Sequence, residues 1–308
     1  MESAIVVEGL TRRFGTVRAV EDLSFTVARG ELFGIVGPDG AGKTTTLRML
    51  SAVLRPTAGE VTVAGIDVAS DPEAVKSKIA YMPQRFGLYT DLTVRENIEF
   101  YADIYGVPRR ERPARFERLY GFSGLGPFEN RLAGQLSGGM KQKLGLCAAL
   151  VHEPEILLLD EPTFGVDPIS RRDLWLIVHE MVARGVTVVV ATAYLDEAER
   201  CDRVAMLHRG RAITIDTPAA LQDRLRDEIL AVRTDDPRRA RELLSAHASV
   251  RRAALFGEVV HVILRGGPAE WPAVREALEA SGIAVLGEST APASLEDVFI
   301  DVMEGANG

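Results

Sequence analysis

A glycine-rich segment near the N-terminus has the spacing of a phosphate-binding loop. Residues 37–44 fit the pattern G-x-x-x-x-G-K-[ST], follow an apolar run that predicts a strand, and precede a helical pattern. Glycines let successive backbone N–H groups turn toward phosphate oxygens, and the start of the following helix favours negative charge. Lys43 is expected to reach the outer phosphates of a nucleotide, and the hydroxyl of Thr44 to ligate Mg²⁺. The predicted nucleotide-binding segment comprises Gly37, Pro38, Asp39, Gly40, Ala41, Gly42, Lys43, Thr44 and Thr45.

A second apolar run, Ile156–Leu159, ends in two adjacent carboxylates, Asp160 and Glu161. A buried strand of this kind places its final residues at the carboxyl edge of a parallel sheet, where open α/β folds bind ligands. Asp160 is expected to hold Mg²⁺, and Glu161 to orient or deprotonate an attacking water. Taken alone, a strand that ends in acids could equally serve solubility. The phosphate-binding segment upstream favours the chemical role.

Ser137, Gly138 and Gly139 stand at the predicted start of another helix, which gives a second site suited to an anion. The surrounding segment, Leu136–Gln142, resembles the signature motif of ATP-binding cassette (ABC) ATPases. In that family the motif of one subunit closes over the γ-phosphate held by the phosphate-binding loop of another. The resemblance, which covers about residues 3–220, therefore implies two cassettes that enclose ATP between them.

Further positions of the family are matched in chain order. Phe14 resembles the aromatic residue that stacks on adenine, although an ordinary core aromatic is the other interpretation. Gln84 resembles the glutamine that senses Mg²⁺ and the attacking water, and residues 85–101 resemble the segment that faces the membrane partner. Asp167 resembles the aspartate that acts across the dimer. The resemblance thus gives Glu161, Lys43 and Gln84 as catalytic residues and Thr44, Gln84 and Asp160 as metal ligands.

One position of the family is not matched. A switch histidine that contacts the γ-phosphate is expected in the stretch Ala191–Glu199, where Ala193 occupies its place. Alanine cannot make this contact, and strand alternation predicts that the neighbouring Thr192 faces the opposite side. The loss of one contact to the transition state typically costs ~10²–10³ in rate. The resemblance therefore implies an intact nucleotide pocket with impaired hydrolysis.

The elements that must position these residues have an α/β pattern over residues 1–221. Short apolar strands alternate with helical patterns, among them one at Thr44–Leu54, which predicts a parallel sheet covered on both faces. Residues 91–140 are helical without a convincing strand and are interpreted as an insertion between two halves of the sheet. The predicted fold class is α/β, and the resemblance makes it a P-loop NTPase core with a helical subdomain.

The remaining residues, 222–308, show the order β-α-β-β-α-β, which is typical of a small α+β domain of the ferredoxin-like kind. The last of these strands is predicted at Ile283–Gly287, and a closing helix at Leu295–Met303. Ser294–Phe299 resembles part of the C-terminal domain of export-type cassettes, which work with drug, lipid or polysaccharide permeases. The fold alone does not assign this domain a role.

The charge and the apolar runs of the sequence restrict the kinds of molecule to which the chain is expected to bind. Acidic residues outnumber basic ones by 44 to 36, and the net charge of −8 disfavours nucleic-acid binding because phosphate contacts need a basic surface. No apolar run approaches the ~20 residues that span a bilayer, and the N-terminus has no signal-peptide pattern. The expected location is cytoplasmic, at the inner face of the cell membrane, through docking to another chain.

Two functions are left open by these patterns. In the first, ATP and Mg²⁺ drive the pairing of two cassettes, and hydrolysis powers export through a separate membrane permease. In the alternative, Ala193 makes the chain a hydrolysis-impaired ATP-binding switch that relies on a partner cassette. A soluble ABC protein of translation or DNA repair is disfavoured, because the chain has a single cassette and an acidic composition.

Overall fold

The computed structural model describes residues 2–85, 87–225 and 227–305, which form two compact units. The first unit extends to Thr217 and the second begins at Pro218, near the predicted boundary after residue 221. Each unit has its own cluster of buried apolar side chains. None of the helices in these three ranges combines the length and the apolar composition that a bilayer crossing needs.

Two sheets organise the first unit. Its strands are β1 (Ser3–Phe14), β2 (Val17–Ala28), β3 (Leu32–Val36), β4 (Ala58–Val63), β5 (Ile66–Asp67), β6 (Ile79–Met82), β7 (Ile156–Asp160), β8 (Thr187–Thr192), β9 (Arg203–His208) and β10 (Arg211–Asp216). A six-stranded sheet has the order β10-β9-β3-β8-β7-β6, in which β10 alone is antiparallel to its neighbour. A smaller antiparallel sheet has the order β2-β1-β4-β5.

Strands β3, β7 and β8 are buried along their whole length. Successive side chains of a strand point to opposite faces, so both faces of the sheet must be covered, as the continuous apolar runs predict. Parallel strands also end at one edge of the sheet. The segments that follow β3, β6, β7 and β8, which carry most of the predicted site residues, therefore meet at that edge.

The helices of the first unit lie mostly in the connections between parallel strands. They are α1 (Lys43–Leu50), α2 (Pro72–Lys78), α3 (Val94–Ile104), α4 (Arg112–Ser123), α5 (Gly138–Leu150), α6 (Pro168–Ala183) and α7 (Leu195–Ala198). Residues 91–140, all of which the structure describes, contain helices and two 3₁₀ turns, Gly126–Phe128 and Ala133–Gln135, but no strand. The segment interpreted as an insertion thus has the helical character that its sequence pattern predicts.

One predicted helix end is wrong. The helix expected at Thr44–Leu54 ends at Leu50, because Ala52 takes a left-handed conformation with φ of +57°. The N–H groups of Val53 and Leu54 then turn back to the carbonyl oxygen of Arg48, at 3.0 and 2.9 Å. A non-glycine residue at positive φ cannot continue a right-handed helix, so the chain leaves the helix there.

The second unit has the predicted β-α-β-β-α-β order, preceded by one helix and followed by another. Its elements are α8 (Pro218–Arg224), β11 (Ile229–Thr234), α9 (Pro237–Ala246), β12 (Val250–Phe256), β13 (Val259–Leu264), α10 (Trp271–Ala280), β14 (Val285–Ala291) and α11 (Leu295–Gly305). The strands pair antiparallel in the order β12-β13-β11-β14. The strand predicted at Ile283–Gly287 begins later, because the N–H of Ile283 still bonds to Leu278 at the end of α10.

Candidate nucleotide-binding site

One open cavity of about 530 Å³ lies at the carboxyl edge of the parallel sheet. Its volume falls within the range of small-molecule sites, about 300–1,000 Å³. The predicted site residues that line it are Phe14, Asp39, Gly40, Ala41, Gly42, Lys43, Thr44, Thr45, Gln84 and Glu161. The fold thus brings together, in one cavity, residues that are separated by more than a hundred positions in the sequence.

Glycine is required by close backbone approach at two positions of the phosphate-binding segment. Gly42 has a φ of +105° directly before α1, and a Cβ atom there would lie 2.5 Å from the carbonyl oxygen of Ala19. A Cβ atom on Gly37 would lie 2.2 Å from the carbonyl oxygen of Leu207. Helix α1 begins at Lys43, and the first N–H groups of a helix lack helical acceptors. Those groups and the helix dipole are suited to an anion.

We expect Gly42→Ala to destabilise the fold more than Gly40→Ala. Gly40 also has a positive φ, +78°, but a Cβ atom there would meet no atom within 4 Å. Its substitution therefore costs only left-handed strain, about 1–2 kcal/mol. Gly42→Ala adds a collision with backbone, so the free energy of unfolding should fall by about 3 kcal/mol or more. Urea denaturation measures both losses, and equal values would contradict the close backbone contact at Gly42.

The ammonium group of Lys43 lies inside the loop. It donates hydrogen bonds to the carbonyl oxygens of Gly37 at 2.8 Å and Pro38 at 3.2 Å. It also lies 3.4 Å from the carboxylate of Glu161. Only 5% of the residue is exposed, so its charge acts in surroundings with little water. A lysine held in this way supplies a fixed positive charge to a bound phosphate.

Asp160 is buried behind Thr44. The Thr44 hydroxyl donates to one carboxylate oxygen at 2.9 Å, and the Tyr81 hydroxyl donates to the other at 3.3 Å. Burial raises the pKa of Asp160 above its usual value, and the two hydrogen bonds partly oppose this change. Burial and the Asp160 charge together raise the pKa of Tyr81 to about 12. Tyr81 was not predicted as a site residue. The one feature of the sequence that could have indicated it is a polar hydroxyl within the otherwise apolar strand β6.

The donor atoms at this place fit Mg²⁺. Thr44, Asp160 and Gln84 offer hydroxyl, carboxylate and amide oxygens, the hard ligands that this ion prefers. No group of three or more His, Cys, Asp or Glu side chains able to hold a metal occurs among the described residues. A Mg²⁺ site usually takes one or two carboxylates and completes its shell with waters and substrate phosphates.

Glu161 is held by both its side chain and its backbone. The Gln84 amide donates to its carboxylate at 2.8 Å, which leaves the amide oxygen of Gln84 available to a cation. The backbone N–H of Glu161 donates to the carbonyl oxygen of Ala191 at 2.8 Å. The residue has a φ of +49°, in the left-handed region. A carboxylate in this position can orient or deprotonate a water beside a phosphate that lies on the loop.

Phe14 lies at the edge of the cavity and not in the core. Its side chain is 47% exposed, so the interpretation as an ordinary core aromatic is wrong. The guanidinium of Arg12 lies over the ring at 4.5 Å, a cation–π contact that the sequence did not reveal. The ring is thus available for stacking on a flat aromatic ligand.

The signature segment lies outside this cavity. The Ser137 hydroxyl accepts a hydrogen bond from the N–H of Met140 at 3.3 Å and caps α5. Ser137 and Gly138 are exposed, whereas Gly139 is buried where a Cβ atom would lie 2.2 Å from the Ser170 hydroxyl at the start of α6. Asp167 caps α6 through the N–H groups of Ile169 and Ser170. One chain therefore contains both halves of the predicted composite site without joining them.

The end of β8 has the predicted orientation. Thr192 is buried and its hydroxyl donates to Glu197 at 2.9 Å, whereas Ala193 is exposed. In the segment predicted to face a membrane partner, residues 85–101, Phe86 lies outside the described residues. Helix α3 begins in this segment with a capping box formed by Thr93 and Glu96.

Comparison with known proteins gives the family. Residues 20–164 match the family model described as ABC transporter. The chain is 41% identical over 99% of its length to a probable multidrug ABC transporter ATP-binding protein of Escherichia coli (strain K12), but spans only 53% of that protein. It is 36% identical over 94% of its length to a Nod factor export ATP-binding protein of Burkholderia lata, of which it covers 93%.

Solved structures agree with this result. An ATP-binding subunit of an ABC transporter has a TM-score of 0.66 and 30% identity, covering 72% of this chain and 93% of its own. A dimeric ATP-binding cassette in a post-hydrolysis state, bound to ADP and Pi, has a TM-score of 0.63 and 27% identity, covering 69% and 98%. With its phosphate-binding loop, paired carboxylates and signature segment in place, the chain belongs to the family of ABC transporter ATP-binding proteins.

Proposed function

We propose that the chain is the ATP-hydrolysing subunit of an export-type ABC transporter, in which two cassettes pair around ATP. The observation that carries the proposal is the separation of two half-sites on one chain. The loop at 37–44 shares its cavity with Glu161 and Gln84, whereas Ser137 is exposed at the start of α5. A second cassette, identical or different, supplies the signature segment that the cavity lacks.

The residues of the cavity have distinct roles in this proposal. Lys43 and backbone N–H groups of the phosphate-binding loop bind the phosphates of ATP, and Phe14 offers its exposed ring to adenine. The oxygens of Thr44, Asp160 and Gln84 hold Mg²⁺, which supplies positive charge to the outer phosphates. Glu161 orients or deprotonates the attacking water, as the proximity of Gln84 and Lys43 supports.

The partner in this proposal is a separate membrane permease. The relatives' names support export, since one is a probable multidrug protein and another a Nod factor export protein. Residues 85–101 are the surface that faces the permease, so the chain would lie at the inner face of the cell membrane. The net charge of −8 argues against a nucleic-acid partner.

Hydrolysis by the chain is slow in this proposal. Ala193 has no polar side-chain atom that could donate a hydrogen bond to a phosphate, and the Thr192 hydroxyl is already bonded to Glu197. A missing transition-state contact lowers the rate by ~10²–10³. The pocket still binds ATP in this proposal, because Ala193 is not among the residues that line it.

Mixing two inactive variants tests the composite site. Lys43→Ala removes the charge that binds phosphates, and Ser137→Arg blocks the anion site at the start of α5. Each variant alone should lose ATPase activity by ~10²-fold. A mixed dimer contains one intact site, so an equal mixture should regain roughly a quarter of the wild-type rate. Activity that does not recover on mixing would contradict a site formed between two copies of this chain.

A further inference from the structure

Glu197 is a buried carboxylate next to the proposed hydrolytic site but outside the nucleotide cavity. It lies in the single-turn helix α7, and none of its surface is exposed. A buried charge is costly unless it is paired and hydrogen-bonded, so its contacts need a physical explanation. The residues that make these contacts are not among those predicted for the nucleotide site.

Three side chains from different parts of the first unit contact this carboxylate. One oxygen accepts a hydrogen bond from the Thr163 hydroxyl, and the other accepts a bond from the Thr192 hydroxyl at 2.9 Å. The guanidinium of Arg171, from α6, lies 3.6 Å away and is placed over the ring of Tyr194 at 4.5 Å. Thr163 and Thr192 are themselves buried, so water does not compete for these bonds.

The two threonines belong to segments that set the backbone of Glu161. Thr163 follows Glu161 by two residues, and the φ of +49° at Glu161 is strained for a residue with a side chain. The N–H of Glu161 bonds to the carbonyl oxygen of Ala191, the residue before Thr192. A strained conformation persists only where its surroundings fix it. The carboxylate of Glu197 bonds both to Thr163, in the segment after Glu161, and to Thr192, in the segment to which the Glu161 backbone is bonded.

We propose that Glu197 is a positioning residue, whose carboxylate ties Thr163 to Thr192 and thereby fixes the direction of the Glu161 side chain. The two oxygens of a carboxylate accept from two hydroxyls at once, which no apolar side chain does. The carboxylate of Glu161 is then held within contact of the Gln84 amide and the Lys43 ammonium. This inference rests on the proposed function, since it concerns the same hydrolytic site.

Thr163→Val tests the hydrogen bond between Thr163 and Glu197. The size of the side chain hardly changes, because a methyl group replaces the hydroxyl. We expect kcat for ATP hydrolysis to fall by ~10²-fold, the usual effect of displacing a reacting group by about 1 Å. KM for ATP should change by less than about twofold, because Thr163 does not line the cavity. Thr163→Ser keeps the hydroxyl and should restore kcat.

Thr187→Val is the matched control for lost stability. Thr187 is buried at the start of β8, and its hydroxyl accepts a hydrogen bond from the N–H of Gly30 at 2.9 Å. This variant loses a buried hydroxyl from the same strand that carries Thr192, but at the opposite end from the cavity. Its kcat should equal that of the wild type, and a fall like that of Thr163→Val would overturn the positioning role.

Amide hydrogen exchange tests the same link without hydrolysis. In Thr163→Val, the N–H groups of Glu161 and Tyr194 should exchange about 10-fold faster, because a hydrogen bond to a charged group is lost nearby. The Tyr194 N–H donates to the Thr192 hydroxyl oxygen at 3.0 Å and so reports on the segment that carries Thr192.

Unchanged exchange at both amides overturns the proposal. An unchanged kcat in Thr163→Val also overturns it, provided that the wild type hydrolyses ATP. If the wild type hydrolyses no ATP, the proposed function fails, and exchange alone decides the role of Glu197.

Discussion

Glu161→Gln is expected to lower ATP hydrolysis by ~10²–10⁴-fold, the usual contribution of a group that transfers or orients a proton. ATP binding should be retained, because the amide has nearly the shape of the carboxylate. In the proposed arrangement hydrolysis is the step that reopens the cassette pair, so a pair that binds ATP without hydrolysing it should stay closed. The variant should therefore accumulate as an ATP-bound dimer.

The contacts of Glu161 explain why the substitution separates binding from hydrolysis. Its carboxylate accepts from the Gln84 amide at 2.8 Å and lies 3.4 Å from the Lys43 ammonium. A glutamine at this position keeps an oxygen for one of these partners but does not accept a proton. Removing the negative charge also leaves the Lys43 charge free for the phosphates, which favours the ATP-bound state.

Size-exclusion chromatography with ATP and Mg²⁺, together with a phosphate-release assay, measures this outcome. Glu155→Gln is the matched control, since Glu155 is an exposed glutamate that pairs with Lys78 at 2.7 Å and Arg29 at 3.5 Å. It makes the same chemical change far from the cavity and should hydrolyse ATP at the wild-type rate. A Glu161→Gln variant that stays monomeric with ATP would contradict the paired-cassette model.

The phosphate-binding loop could be predicted from the sequence because its geometry is local. Gly37 and Gly42 are required by close backbone approach, and the pattern of residues around them carries that requirement directly. The position of Asp160 and Glu161 was also predictable, because an apolar run that ends in acids fixes which edge of the sheet they reach. The opposite orientation of Thr192 followed from strand alternation alone.

Contacts between distant segments could not be predicted in the same way. The Tyr81 hydroxyl meets a carboxylate 79 positions later in the chain, and Thr163 meets Glu197 across 34 positions. No periodicity in the sequence encodes such pairs, because they depend on the order in which the strands are laid into the sheet. The left-handed conformation of Ala52, which ends α1 early, was likewise not indicated by its residue type.

Lys43→Ala is expected to reduce the affinity for ATP by ~10²-fold or more, because a hydrogen bond between two charged groups and its charge attraction are both lost. Lys43 is 5% exposed, and its ammonium donates to the loop carbonyls of Gly37 and Pro38, so the positive charge is held inside the loop where alanine supplies none. The carboxylate of Glu161 would then face the phosphates without a neighbouring positive charge. This repulsion adds to the loss.

A titration with ATP measures the effect, and Lys76→Ala is the matched control. Lys76 lies in α2 and pairs at 2.7 Å with Glu73 on the same exposed helix surface. Removing it changes the net charge by the same amount, so any general effect of charge on the binding of a polyanion appears in both variants. The difference between the two affinities therefore isolates the buried ammonium. If Lys43→Ala bound ATP as tightly as Lys76→Ala, the loop at 37–44 would not be the phosphate site, and the roles assigned to Thr44, Asp160 and Glu161 would fail with it.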